Sequence, residues 1–154
     1  MTAKPIPEGF HSVTACLVVA DGVAALDFYE RALGATIVRR LLLDGKLMHS
    51  ELRIGDSTVC VSDAFPELGI AAPSEDGPTS SSLMIYGEDA EGLQERAVAA
   101  GATLLVKVAP QFHGDRAGSI RDPFGHRWIL GTHTEDLSDE ELERRTREAM
   151  TATA

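Results

Sequence analysis

No stretch of this chain approaches the ~18 consecutive apolar residues that a membrane-spanning helix needs, so no membrane partner is expected. The opening residues, Met1 to Pro7, lack the apolar core of a secretory signal, which points to a cytoplasmic protein. Cysteine is scarce. Cys16 and Cys60 each stand alone in an apolar stretch, without CxxC spacing, and read as small buried hydrophobes in a reducing compartment rather than as a disulfide. Basic residues are outnumbered, 14 Lys and Arg against 24 Asp and Glu, giving a formal net charge of −10. That balance leaves no basic stripe for phosphates, so nucleic acid is not an expected partner. It suits solubility and, focused in a cleft, a cationic ligand. GxSxG, P-loop and Rossmann spacings are also missing, which sets those enzyme classes aside.

What is present fits one α+β domain in 154 residues, with 44% hydrophobic and 25% charged side chains. Residues 12–19 form a β-rich run ending at the turn signal Asp21-Gly22. Helical spacing follows: Ala25, Phe28, Tyr29 and Ala32 share a face, and Gly34 stops the helix. Thr36 to Leu43 reads as a strand, and Asp44-Gly45 as a two-residue hairpin turn. In the next strand, alternation sets Met48, Ser50, Leu52 and Ile54 on one face and His49, Glu51 and Arg53 on the other. A short strand, 58–62, completes a first module over about residues 10–62. Residues 63–80, rich in Pro, Gly and Ser, read as a linker.

The order then repeats over residues 81–134: a strand at 81–86, a helix at 89–100 stopped by Gly101, and strands at 103–108, 117–121 and 126–131. An offset of 67 places Gly34-Ala35-Thr36 on Gly101-Ala102-Thr103 and Asp21 on Glu88. Recurrence of the whole strand–helix–Gly-Ala-Thr–strand order indicates duplication. A tail helix over residues 138–150 begins with a Ser138/Glu141 capping box and has little to bury beyond Leu137, Leu142 and Met150.

Four segments carry a family resemblance: Phe28-Tyr29-Glu30-Arg31-Ala32-Leu33-Gly34-Ala35, His49-Ser50-Glu51-Leu52-Arg53-Ile54-Gly55-Asp56, Gly114-Asp115-Arg116 and Asp122-Pro123-Phe124-Gly125-His126-Arg127-Trp128. With the duplicated order they resemble the vicinal oxygen chelate superfamily of glyoxalase, bleomycin-resistance and dioxygenase proteins, and within it the small PhnB-like members. The resemblance spans about residues 10–136. It implies two tandem βαβββ modules forming a curved, mostly antiparallel eight-stranded sheet around a concave pocket, with a C-terminal helix outside that pattern. It also implies homodimers in which halves of different chains can pair.

Metal enzymes of that superfamily place one ligand on the first and one on the last strand of each half. Carried over, those positions are Thr14, Cys60, Ser82 (Ser81 if the register slips by one) and Ile129. None is His, Asp or Glu, so no metal or other cofactor is expected. The expected function is therefore binding of a small organic molecule.

His49 and Glu51 point the same way from one strand. They read as a general base with its orienting carboxylate, as two ligands of a displaced metal site, or as a polar pair on a wet wall. In the first reading the protein is a lyase, isomerase or dioxygenase. Phe112 and His113 are candidate lid residues, with Asp115 and Arg116 expected to pair and pin their loop; Arg121 is a candidate anion contact and Tyr86 a wall residue. Trp128 falls on the core side with Leu130.

Overall fold

A computed structural model describes residues 3–152. The first module comprises β1 (Ala15–Val19), α1 (Gly22–Leu33), β2 (Thr36–Leu43), β3 (Lys46–Ile54) and β4 (Ser57–Asp63). The second repeats it as β5 (Ser82–Tyr86), α2 (Ala90–Ala99), β6 (Thr103–Pro110), β7 (Asp115–Arg121) and β8 (Arg127–His133), before α3 (Asp139–Ala152). Each module makes one mixed sheet, ordered β1-β4-β3-β2 and β5-β8-β7-β6. The β1–β4 and β5–β8 pairs are parallel and the remaining pairs antiparallel. The eight strands thus divide into two hydrogen-bonded sheets, and β1 and β5 are each an edge.

Both helices begin at an aspartate whose carboxylate satisfies an otherwise unpaired amide: Asp21 accepts from Ala24 N at 3.0 Å and Asp89 from Gly92 N at 2.8 Å. These caps correct the repeat. Asp21 corresponds to Asp89, an offset of 68, whereas Thr36–Leu43 matches Thr103–Pro110 at 67. The second module therefore loses one residue between its cap and Gly101. In the first, Gly34 closes α1 at φ 68, the left-handed conformation that a side chain would strain.

One core joins the modules. It takes Leu17 and Val19 from β1, Leu52 and Ile54 from β3, Val59 and Val61 from β4, and Ile120, Trp128 and Leu130 from the second sheet. Helix α1 supplies the link, because the Tyr29 ring lies edge-on to Phe124 at 6.1 Å and to Trp128 at 5.7 Å. Beneath them Asp122, the first residue of the Asp-Pro-Phe-Gly turn, is buried. It accepts from Tyr29 Oη at 2.7 Å, Trp128 Nε1 at 2.9 Å, Phe124 N at 3.0 Å and His126 N at 2.9 Å. The turn motif and the Phe-Tyr helix motif are thus two ends of one contact. Burial and the neighbouring carboxylate both push the Tyr29 hydroxyl well above its usual pKa, so it stays a donor.

β3 departs from simple alternation at one residue, and β4 ends on a buried carboxylate. A register shift opposite Leu41 and Leu42 puts Leu47, not Met48, in the core, and Met48 is the bulged, exposed residue. Asp63, at the end of β4, is buried and accepts from Gly22 N at 2.5 Å and Leu47 N at 2.8 Å. It ties the start of α1 to the start of β3. The linker carries one 3-10 turn, Pro66–Leu68, and a Phe65–Ile70 bridge.

Helix α3 is capped as expected, Glu141 N donating to Ser138 Oγ at 3.2 Å. None of its described residues is buried. Ion pairs run along it instead: Arg144 and Arg145 both bond Glu141, whose carboxyl they hold down at about 2. No helix among the described residues is long and apolar enough to cross a membrane.

Candidate functional site

Helices cover one face of each sheet, so the opposite faces are where chemistry can reach a ligand. In the first sheet, core residues alternate with Cys16, Cys60, Glu51 and His49, which therefore lie on the helix-free face. Strand register aligns three of them with a fourth residue. Cys16 stands opposite Cys60, Cys60 opposite Glu51, and Glu51 opposite Arg39. This row crosses all four strands. Glu51 Oε1 is approached by His49 Nε2 at 3.4 Å and by Arg39 Nε at 3.8 Å. The carboxylate is mostly buried, and a proton on His49 Nε2 would point at it.

Cys16 is exposed, contrary to its reading as a buried hydrophobe; only Cys60 is buried. Facing away from the core on a short edge strand, Cys16 has no layer above it. Its Sγ donates toward Thr14 O at 3.9 Å. Burial, then Cys16 and Glu51, push the Cys60 thiol up to about 11.

The equivalent row in the second sheet is Met84, Ile129, Ser119 and Val106. Duplication has thus produced one titratable wall and one largely apolar wall. Ser119 is the exception, because its hydroxyl is buried and has no hydrogen-bond partner among the described residues.

The four positions that the resemblance carries over from the metal enzymes can be judged by their donors. Cys60 and Ile129 lie in these rows, Ser82 opens β5, and Thr14 immediately precedes β1. Hydroxyls, a protonated thiol and a hydrocarbon do not match the imidazole and carboxylate donors of such a cage. The described residues also contain no group of three or more His, Cys, Asp and Glu able to hold a metal ion.

The other candidates lie on or near the second sheet. Phe112 and His113 occupy the β6–β7 turn, their rings edge-on at 5.4 Å. Arg121 projects from the helix-free face, and its Nη1 donates to Asp76 O at 2.9 Å, holding the linker, while its buried Nε has no partner among the described residues. Tyr86 and Met84 line a cleft of about 700 Å³ between β5 and the β3–β4 turn, with Leu83, Ala15, Gly55 and Thr58. His49, Glu51 and Cys60 are not among its walls.

Asp115 does not make the expected pair with Arg116. Buried at the start of β7, it accepts from Tyr86 Oη at 2.9 Å and from His133 Nδ1 at 2.7 Å, with His113 Nδ1 at 3.5 Å. Arg116 turns instead to Glu91. Adjacent strand residues project to opposite faces, which separates the expected partners. Burial alone would raise the Asp115 carboxyl, but hydrogen bonds from His133 and Tyr86 override it and lower the pKa. The same contact, with Asp136 at 3.0 Å on Nε2, raises His133. Sequence reasoning missed this cluster. Extending β7 back to Asp115 and β8 on to His133 would have revealed it, because the two are register partners.

Similarity to other proteins agrees with the fold. A protein of Mycobacterium bovis is 36% identical over 131 residues, covering 82% of this chain and 86% of its own length. TioX from Micromonospora superposes with a TM-score of 0.63 at 24% identity, over 79% of this chain and 99% of its own. The fosfomycin resistance protein FosX of Listeria monocytogenes gives a TM-score of 0.61 at 17% identity, over 87% of this chain and 97% of its own. Residues 9–130 match the family described as the glyoxalase/bleomycin resistance protein/dioxygenase superfamily, and the chain belongs to that family.

Proposed function

We propose that this protein binds a small organic molecule on its helix-free, concave faces and does so without the family's metal chemistry. The observation that carries the reading is the donor set at Thr14, Cys60, Ser82 and Ile129, which offers no imidazole or carboxylate. The binding residues are these four with His49, Glu51, Tyr86, Phe112, His113 and Arg121. The net charge of −10 and the Glu51 carboxylate favour a ligand carrying a cationic group. In this reading the protein is a cytoplasmic, PhnB-like homodimer. Leu41, Leu43, Met84, Tyr86 and Val106 leave large apolar surface uncovered, and pairing the first sheet of one protomer with the second sheet of its partner would enclose it.

Calorimetry with metal-free bleomycin, followed by mass analysis of the recovered ligand, tests this reading. Saturable binding with the ligand returned unchanged is expected. A crystal structure of the dimer whose facing side chains fill the space between the sheets would overturn it, leaving an interaction module.

A second reading rests on the His49–Glu51 contact at 3.4 Å. Here His49 acts as a general base oriented by Glu51, and the protein is a lyase, isomerase or dioxygenase. That mechanism requires His49→Ala to abolish turnover while ligand affinity changes little.

A further inference from the structure

The chain's two cysteines are 44 positions apart, yet β1 and β4 bring Cys16 and Cys60 to the same register position on neighbouring parallel strands. Neighbouring strands lie about 4.8 Å apart, within the roughly 4.4–6.8 Å Cα separation that disulfides span. Both side chains leave the helix-free face of the sheet. β1 is an edge strand with a single neighbour, so a small adjustment there breaks no second ladder. We propose that Cys16 and Cys60 form a thiol–disulfide exchange site, in which Cys16 attacks a low-molecular-weight disulfide of the glutathione class and Cys60 resolves it to an intramolecular disulfide.

Exposure sets the order of the steps. The exposed Cys16, deprotonated, bonds to one sulfur of the reagent; the reagent's S–S bond breaks and one thiol leaves with a proton. Cys60 then gives its proton to solvent, its sulfur bonds to that of Cys16, and the second reagent thiol leaves. Two protein thiols are oxidised and one reagent disulfide is reduced to two thiols. A thiol buried and held protonated like Cys60 is a poor first attacker, but a neighbouring mixed disulfide presents it with an intramolecular target. Because Cys60 also stands opposite Glu51, closure would change the ligand wall. The exchange itself requires no bound ligand, so it stands or falls separately from the binding proposal.

The test is incubation of the folded, reduced protein with oxidised glutathione, quenching with an alkylating reagent, and intact-mass analysis. Wild type is expected to lose two hydrogens, remain a single covalent chain, and recover both thiols with dithiothreitol. Cys60→Ser should stop at one glutathione adduct on Cys16, and Cys16→Ser should react much more slowly than either. A stable wild-type glutathione adduct would overturn the proposal. So would a disulfide between chains, or one that forms only after denaturation. Far-UV circular dichroism of both variants establishes that they are folded.

Discussion

Asp122 is the point at which removing one side chain should cost the most. Its carboxylate is buried and accepts four hydrogen bonds, two from side chains of the shared core and two from the backbone of its own turn. Asp122→Ala strands the buried Tyr29 hydroxyl and Trp128 indole N–H and takes the acceptor from two part-buried amides. Each unsatisfied buried donor costs about 1–3 kcal/mol, although relaxation makes such losses less than additive. A total of about 3–5 kcal/mol is therefore expected, most of it from the two buried side-chain donors. For a chain of this size that corresponds to a fall in Tm of roughly 6–20 °C. Asp122→Asn should lose less, about 2–3 kcal/mol, because its carbonyl can still serve part of the donor set while its amide faces donors. Urea unfolding followed by Trp128 fluorescence and far-UV circular dichroism measures both variants. A loss below about 1 kcal/mol for Asp122→Ala would refute the claim that this carboxylate joins the two modules.

His133 has a raised folded pKa, so its stabilising contribution is fully present below the unfolded value of about 6.5 and is lost as pH rises through the folded value. The stability difference between wild type and His133→Ala should accordingly shrink with rising pH, and the His133 titration by NMR should have its midpoint above 6.5. Gly125 has φ +94, and an added Cβ would meet Ser74 O; Gly125→Ala should destabilise by about 1–3 kcal/mol in the same urea assay. Removing residues 139–152 deletes a helix with no buried described residue and should shift Tm by less than about 2 °C in a thermal melt.

Features set by local chain chemistry are legible in the amino-acid sequence. Asp44 and Gly45 both take positive φ, 50 and 82, as the hairpin signal requires, and Gly34 closes α1 where the periodicity ends. The Asp-Pro-Phe-Gly motif marks the second module but not its use, because Tyr29 reaches Asp122 from 93 positions away. Contacts between strands are harder to read. Asp115 beside Arg116 suggests a local pair, whereas tertiary register gives it Tyr86 and His133. The bulge at Met48 reverses a face in a way that alternation alone cannot anticipate. The family resemblance singles out Cys60 as a counterpart of a ligand position, but only the β1–β4 register sets exposed Cys16 beside it.

In the proposed function, Thr14, Cys60, Ser82 and Ile129 hold no catalytic metal. Elemental analysis of tag-free protein, dialysed against an equimolar mixture of Mn²⁺, Fe²⁺, Ni²⁺ and Zn²⁺ and then against metal-free buffer, checks this. The donor set predicts far less than one retained ion per chain. One tightly retained ion per chain, lost on Cys60→Ala or Ser82→Ala with the fold intact, would contradict it.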